Sequence, residues 1–352
     1  MTTVRLLPSV QPNSLRSIWK PLTLAALLLA GVAWPAVMPG FPTTFMAEVW
    51  FYAVFALSAD ILMGYAGLFS LGHAAFFGVG AYTAALVGLN VSSNVAVTLP
   101  AAMLVAAVLG LLIGIFVIRQ SGVYFIMLSF AFAQLVLAVA ITWRSVTGGT
   151  DGLSGIPTPT LGIGGALVSI RGETASYLLC FAVFVLAYAI LRRIVSSPYG
   201  LALKGIRENP DRMLALGYSV QRYKLSAVVL SAAFAGLAGA LSVAATRFAS
   251  PGDLDWSLSG LVMAMIMMGG MGRLMGAPIG ALAILFIQFA LGSFTMHWQF
   301  VLGLIFVALV LVSINGIIGI ADVGADRSRR LIATVLARRT RPSRTTAPRD
   351  DA

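Results

Sequence analysis

Long apolar runs constrain this chain more than any other feature of its sequence. They recur from about Pro21 to Ile320, separated by short polar or glycine-rich breaks. As an α-helix, a run of about 20 residues crosses the hydrocarbon core of a bilayer, which is ~30 Å thick. Only 10% of the side chains are charged, against about 25% in soluble domains. We therefore predict an all-α integral membrane protein without a sizeable soluble domain.

Hydropathy divides the chain into about ten predicted transmembrane helices. We expect a cytoplasmic segment at 1–20, a transmembrane domain at 21–322 with a long polar loop at 195–223, and an Arg-rich, disordered tail at 323–352. The segment 67–90 is rich in glycine and alanine, so it is expected to be broken or re-entrant. The predicted spans are 21–39, 43–64, 67–90, 95–118, 121–143, 176–194, 224–246, 257–272, 276–295 and 298–320.

The basic residues predict how the chain is oriented. With the N-terminus inside, all but three of the 23 Lys and Arg residues fall on the cytoplasmic side, the exceptions being Arg144, Arg171 and Arg247. Positive charge collects on cytoplasmic loops, so both termini are expected in the cytoplasm of a bacterial cell, with the chain in its inner membrane. The net charge of +11 is then a membrane signal and does not indicate nucleic acid. Five tryptophans fall at predicted outer boundaries: Trp34, Trp50, Trp143, Trp256 and Trp298.

Enzymatic activity has little support in this sequence. A phosphate-binding P-loop needs Ser or Thr after its lysine, but the three lysines here precede Pro21, Gly205 and Leu225. The two histidines, His73 and His297, are far apart in sequence, and no metal-binding spacing of His, Cys or carboxylates is present. We therefore expect no catalytic residue, no metal site and no ATPase site in this chain.

One acidic residue, Asp60, lies well inside a predicted span. A carboxylate in hydrocarbon is costly, so a substrate or proton pathway is one hypothesis for it. The alternative, which we prefer, is an acid near the inner boundary that is hydrated or bonded to neighbouring backbone. His73 poses the same choice between a ligand and a residue of helix packing.

The predicted loop at 196–224 contains a short helix with clear boundaries. Asn209 can cap its first N–H groups, Pro210 suits its first turn, and Gly217 can take the left-handed position after its end. An apolar patch within it is surrounded by charge, which favours docking on a protein over contact with lipid headgroups. The patch is formed by Met213, Leu214 and Leu216, and the charged residues are Arg207, Glu208 and Arg212.

Several segments in order along the chain, over roughly residues 50 to 320, resemble one family. KGIRENPDRMLALG at 204–217 and LSAVVLSAAFAGLAGAL at 225–241 look like the cytoplasmic coupling segment and following helix of permeases of ATP-binding-cassette (ABC) importers, in their branched-chain amino-acid form. GYAGLFSLGHAAFFGVGAYTAAL at 64–86 looks like that family's signature. Further similar segments are Gly122–Tyr124, LSFAFAQ at 128–134, TGGTDGLSGIP at 147–157 and GGMGRLMGAPIGA at 269–281.

The resemblance implies the ABC-importer permease fold with two inverted repeats, and the M-type permease of the pair. It also implies a second permease subunit as heterodimer partner, two cytoplasmic ATPases that bind ATP and Mg²⁺, and a periplasmic solute-binding protein. The expected cargo is branched-chain or other hydrophobic amino acids. A permease for urea or short-chain amides, or a secondary carrier acting alone, is the alternative.

The same resemblance suggests two groups of site residues. Those for coupling to the ATPases are Arg207, Glu208, Asn209, Pro210, Leu214 and Gly217. Candidates for the translocation path are Asp60, Gly67, Ser70, His73, Tyr124 and Gln134.

Overall fold

The computed structural model describes residues 31–35, 37, 40–163, 166–292, 300 and 303–304. The predicted N-terminal segment, the Arg-rich tail and most of the first and last predicted spans lie outside the described residues. The α-helices are α1 (Phe41–Asp60), α2 (His73–Asn90), α3 (Val95–Val117), α4 (Val123–Thr142), α5 (Arg144–Thr147), α6 (Glu173–Val195), α7 (Pro198–Glu208), α8 (Pro210–Ala215), α9 (Val220–Thr246), α10 (Trp256–Gly269) and α11 (Gly276–Gly292).

Within the described part of the chain, five helical segments are long and apolar enough to cross a membrane. They are Pro42–Tyr65, Val95–Val117, Val123–Thr142, Glu173–Val195 and Val220–Thr246. The shorter apolar helices α10 and α11 accompany them. The chain is therefore an all-α, multi-pass membrane protein, as the sequence predicts. The count of ten spans and the inverted repeats stay predictions.

Only the first six residues of the predicted span 67–90 are not helical, and the rest form the uninterrupted helix α2. Helix α1 runs into a π-helical turn at Ile61–Tyr65, the chain leaves helical geometry, and α2 begins only at His73. Gly67 in this connection has a left-handed φ of 72°, which a residue without a Cβ adopts at little cost. The glycines thus end one helix and allow another to start within the membrane domain.

Helix α9 lies at the centre of the bundle and packs against α1, α2 and α3. Small residues allow the close approach: a Cβ added to Gly110 on α3 would lie 2.5 Å from Cβ of Ala232 on α9. One added to Gly236 on α9 would lie 2.8 Å from the carbonyl oxygen of Ala102. Small residues spaced four apart along both helices therefore let the two backbones approach closely.

The connection between α5 and α6 contains the one departure from helix among the described elements. Two short antiparallel strands, β1 (Thr160–Ile163) and β2 (Ala166–Ser169), pair with Thr160 opposite Ser169. Before them lies a 3₁₀ turn at Gly149–Asp151, and a second 3₁₀ turn at Pro251–Leu254 connects α9 to α10. Residues outside helices cannot pair their main-chain N–H and C=O groups within one helix. The hairpin pairs these groups between its two strands instead.

The prediction for Trp50 is wrong. This residue lies nine positions after the start of α1, roughly 14 Å along the helix at 1.5 Å per residue. Its ring is 4.7 Å from that of Phe184 and 5.1 Å from that of Phe181, between ring centroids. Trp50 therefore packs between two membrane helices instead of marking a boundary with water.

Candidate functional site

The polar connection between α6 and α9 contains two helices, where the sequence predicted one. The additional helix is α7, which begins at Pro198 and buries Gly200, Ala202, Leu203 and Ile206. Charged residues on the opposite face make the helix as a whole only weakly apolar, so a search for long apolar runs gave no signal for it. The recognisable signals were Ser197 followed by Pro198, a start pattern, and the apolar spacing of Leu203 and Ile206.

The second helix, α8, has the caps that its sequence predicts. The Asn209 side chain accepts a hydrogen bond from the main-chain N–H of Arg212 at 2.9 Å, and Pro210 occupies the first turn. At the other end Gly217 has a φ of 87°. The N–H of Tyr218 donates to the carbonyl of Met213 at 3.1 Å, and that of Gly217 to the carbonyl of Leu214 at 2.9 Å. Together these bonds form a Schellman cap.

The outer edge of α8 is apolar and exposed. Leu214 is 62% exposed and Leu216 is 67% exposed, while Met213 packs inward against Gly205 of α7, where an added Cβ would lie 2.8 Å from its sulfur. Glu208, the last residue of α7, is also exposed. A capped helix in a polar connection thus presents two exposed leucines beside charge, and an exposed apolar patch rimmed by polar residues indicates an interaction site.

Helix α7 is fixed to the membrane helices through its basic side chains. The Arg207 guanidinium donates a hydrogen bond to the carbonyl oxygen of Gly64, in the π turn after α1. One turn earlier, the Lys204 ammonium lies 5.1 Å from the centre of the Tyr65 ring, a cation–π contact. Both anchors reach the same turn, so α7 and the end of α1 are directly connected.

Asp60, the last residue of α1, is fully buried. Its Oδ1 accepts a hydrogen bond from the main-chain N–H of Gly272, in the turn between α10 and α11, at 2.8 Å. Its Oδ2 has no hydrogen-bond partner within the described ranges. The basic side chains of Arg207 and Lys204 reach the turn that directly follows Asp60. These contacts support the preferred hypothesis of an acid bonded to nearby backbone.

Three glycines leave the space that these contacts need. A Cβ added to Gly272 would lie 2.8 Å from Nη1 of Arg207, and one added to Gly67 would lie 2.9 Å from Arg207 Cγ. A Cβ at Gly64 would lie 2.5 Å from the main-chain nitrogen of Gly272 and overlap the Asp60 carboxylate. Gly67 therefore lies against Arg207. Its selection as a translocation-path candidate did not predict this contact.

His73 belongs to a second buried polar group, deeper in the bundle. Its Nε2 lies 2.9 Å from the Ser58 hydroxyl, and the Ser231 hydroxyl donates to the Ser58 carbonyl at 2.5 Å. Phe55 stacks on the imidazole at 5.4 Å between ring centroids. Nearby, the Ser70 hydroxyl accepts from the N–H of Gly72 at 3.2 Å. These bonds join α1, α2 and α9, which is the geometry of a packing histidine.

The remaining path candidates lie apart from these groups. Tyr124, in the first turn of α4, is 72% exposed on the surface of the described chain. Gln134 is on the same helix almost three turns later, and its Nε2 is buried without a hydrogen-bond partner in the part of the chain that the structure describes. The structure thus brings Asp60 and Gly67 together, but not with Tyr124 or Gln134.

Comparison with known proteins agrees with this arrangement. A family model described as a permease component of the branched-chain amino acid transport system matches residues 41–311. The chain belongs to this permease family. The match extends from α1 past the end of α11, so it includes α7, α8 and every residue of both buried polar groups.

Relatives of this permease have the same description. The high-affinity branched-chain amino acid transport system permease protein LivM of Escherichia coli strain K12 is 30% identical over 325 residues, covering 87% of this chain and 76% of LivM. LivM of Salmonella typhimurium strain LT2 has the same identity and coverage. A probable LivM of Methanocaldococcus jannaschii is 24% identical over 305 residues, 74% of this chain and 85% of the relative. No solved structure matches.

Proposed function

We propose that this permease is the M-type subunit of an ABC importer that moves branched-chain or other hydrophobic amino acids across the inner membrane. A second permease subunit completes the pathway as its heterodimer partner. Two cytoplasmic ATPases bind ATP and Mg²⁺ and supply the energy, and a periplasmic solute-binding protein delivers the amino acid. Family membership and the LivM relatives support this assignment.

The observation that carries the proposal is the exposed edge of α8. A six-residue helix is marginal in water by itself, yet α8 has a cap at each end and rests on α7. Burying one leucine side chain contributes about 1.5–3 kcal/mol. Leu214 and Leu216 together therefore offer several kcal/mol to a partner that covers them. We propose the ATPase as that partner, with Glu208, Asn209, Pro210 and Gly217 shaping the surface and Arg207 coupling α7 to the turn after α1.

The orientation follows from the same proposal. If α7 and α8 dock on a cytoplasmic ATPase, the turn after α1 and the turn between α10 and α11 also face the cytoplasm. Both termini are then cytoplasmic, in agreement with the distribution of Lys and Arg along the sequence. The β1–β2 hairpin lies on the opposite, outer side.

The role of a translocation path stays a proposal for Ser70, Tyr124 and Gln134. For Asp60, Gly67 and His73, the contacts with neighbouring backbone and side chains support a structural role instead. A proton-coupled carrier acting alone would need an acid that exchanges protons along a path. The carboxylate that best suited this idea is bonded to a main-chain N–H.

Reconstitution in proteoliposomes tests the proposal. The permease is combined with ATPase, second-permease and binding-protein subunits from the same genome, and uptake of labelled leucine, isoleucine and valine is measured with and without ATP. A Leu214→Asp/Leu216→Asp double variant should no longer co-purify with the ATPases. Val91→Asp is the matched control, because Val91 is equally apolar and 75% exposed at the other end of the bundle.

Each outcome decides between functions. ATP-dependent uptake of branched-chain amino acids, lost in the double variant and kept in the control, is the expected result. ATP-dependent uptake of urea or acetamide, without uptake of amino acids, would show that the importer carries urea or short-chain amides instead. If an ionophore abolishes uptake while ATP remains abundant, the protein is a secondary carrier driven by an ion gradient and not an ABC importer.

A further inference from the structure

The contacts around Asp60 join three separate elements at one place. Arg207 comes from α7, Gly64 from the π turn after α1, and Gly272 from the turn between α10 and α11. We infer that Arg207 is a positioning residue, which together with Asp60 transmits movement of α7 to the α10–α11 turn. We name these four residues the Arg207–Asp60 latch. The inference rests on the proposed function, because α7 moves only if an ATPase moves it.

The first step is the contact between Arg207 and main chain. A hydrogen bond to the Gly64 carbonyl ties the guanidinium to the backbone of the π turn. The same guanidinium lies against Gly272, since a Cβ there would be 2.8 Å from Nη1. One side chain of α7 therefore touches the backbone of both turns, and a shift of α7 acts on both at once.

The second step is the hydrogen bond of Asp60. Its Oδ1 accepts the Gly272 N–H at 2.8 Å, and the side chain is fully buried. Breaking this bond inside the bundle would leave the buried acceptor and its donor unpaired. The end of α1 and the α10–α11 turn therefore stay joined when Arg207 acts on them. The latch acts as a stiff connection, and α7 carries the α10–α11 turn with it.

The third step is the mobility of the element at the far end. The α10–α11 turn has glycines at positive φ, 109° at Gly270 and 77° at Gly272. Glycines at a helix junction absorb large changes in φ and ψ during rigid-body movement. Helices α10 and α11 pack on α1. Movement of the turn would therefore change how this helix pair is placed against the rest of the bundle.

The test uses the complete importer in proteoliposomes and measures three quantities: ATPase co-purification, ATP hydrolysis, and amino acids transported per ATP hydrolysed. Arg207→Gln should retain the ATPases but lower the transport ratio at least about 5-fold, the lower end of typical coupling between sites. Asp60→Asn keeps an acceptor for the Gly272 N–H, so we expect a smaller decrease. Arg207→Lys keeps the charge and one donor, and should recover most of the ratio.

Two further variants keep the result interpretable. Arg193→Gln, an exposed arginine at the end of α6, should have the wild-type ratio. Asp60→Asn/Arg207→Gln removes both charges, and it replaces Arg207→Gln if that variant does not insert. When wild-type permease binds the ATPases, a wild-type ratio in Arg207→Gln, or in the double variant where it stands in, overturns the latch alone. Wild-type permease that binds no ATPase overturns the proposed function and the latch with it.

Discussion

Replacing Gly217 with valine isolates the contribution of the α8 C-cap to docking. Gly217 has a φ of 87°, and a Cβ added there would meet no atom within 4 Å. The valine side chain therefore has space, and the substitution acts by disfavouring the left-handed backbone conformation at this position. In the free permease α8 is exposed and can relax its last turn. On the ATPase it must keep the Schellman cap in order to present Leu214 and Leu216 together.

The expected magnitude follows from the cost of the left-handed conformation. A residue with a Cβ loses ~1–2 kcal/mol in that conformation relative to glycine, and β-branched residues are the least tolerant. Because 1.4 kcal/mol corresponds to a factor of ten in an equilibrium constant, Gly217→Val should weaken ATPase binding about 5- to 30-fold. Membrane insertion and thermal stability of the isolated permease should change little.

The assay is titration of labelled ATPase subunits onto the permease in nanodiscs. Gly217→Asn is the matched control, since Asn adopts the left-handed conformation more readily than other residues with a Cβ. We expect the Asn variant to bind nearly as well as wild type. Binding of the Val variant as tight as that of wild type would show that the cap does not position the docking surface. If the Val and Asn variants weaken binding to the same extent, the added side-chain volume is responsible and not the backbone conformation.

Three further predictions concern other parts of the fold. Gly239→Ala on α9 should lower the melting temperature in detergent, because its Cβ would overlap a carbonyl oxygen of α2. At Gly260 no atom lies within 4 Å of an added Cβ, so Gly260→Ala should be neutral or stabilising. Burial raises the pKa of Asp253, in the second 3₁₀ turn, so stability falls as pH rises from its unfolded to its folded pKa. Asp253→Asn should therefore stabilise the permease at neutral pH, and the gain should disappear in acid. In a background without the native cysteine, Ser154→Cys should react with an impermeant reagent outside and Ser219→Cys only inside; the reverse pattern would invert the proposed topology.

The sequence predicts best those features that depend on short-range rules. The ends of α3 and α4 lie within a few residues of the predicted spans, because length and hydropathy alone decide what crosses a bilayer. The boundaries of α8 follow from the capping chemistry of Asn209 and Gly217, which is local to each end. The close approach of α9 to α3 follows from the spacing of small residues within each helix.

Features that depend on partners distant in the chain could not be predicted. Asp60 accepts its hydrogen bond from a residue 212 positions later, and no local pattern indicates that pairing. Helix α7 was missed because it is short and amphipathic, and its charged face hides its buried apolar face from a search for long apolar runs. Trp50 was misplaced because a tryptophan suits both a membrane boundary and an aromatic contact between helices, and only Phe181 and Phe184 decide between them.

The glycines of two motifs that carried the family resemblance have a shared physical explanation. Gly64 and Gly67 lie in GYAGLFSLGH and Gly272 lies in GGMGRLMG, some 200 residues apart. Both segments resemble helix-packing motifs, yet these three glycines border the side chains of Arg207 and Asp60. A Cβ at any of them would lie less than 3 Å from an atom of one of these two side chains. The third motif, KGIREN, supplies the arginine itself, so the three segments together form one contact between α7 and the membrane helices.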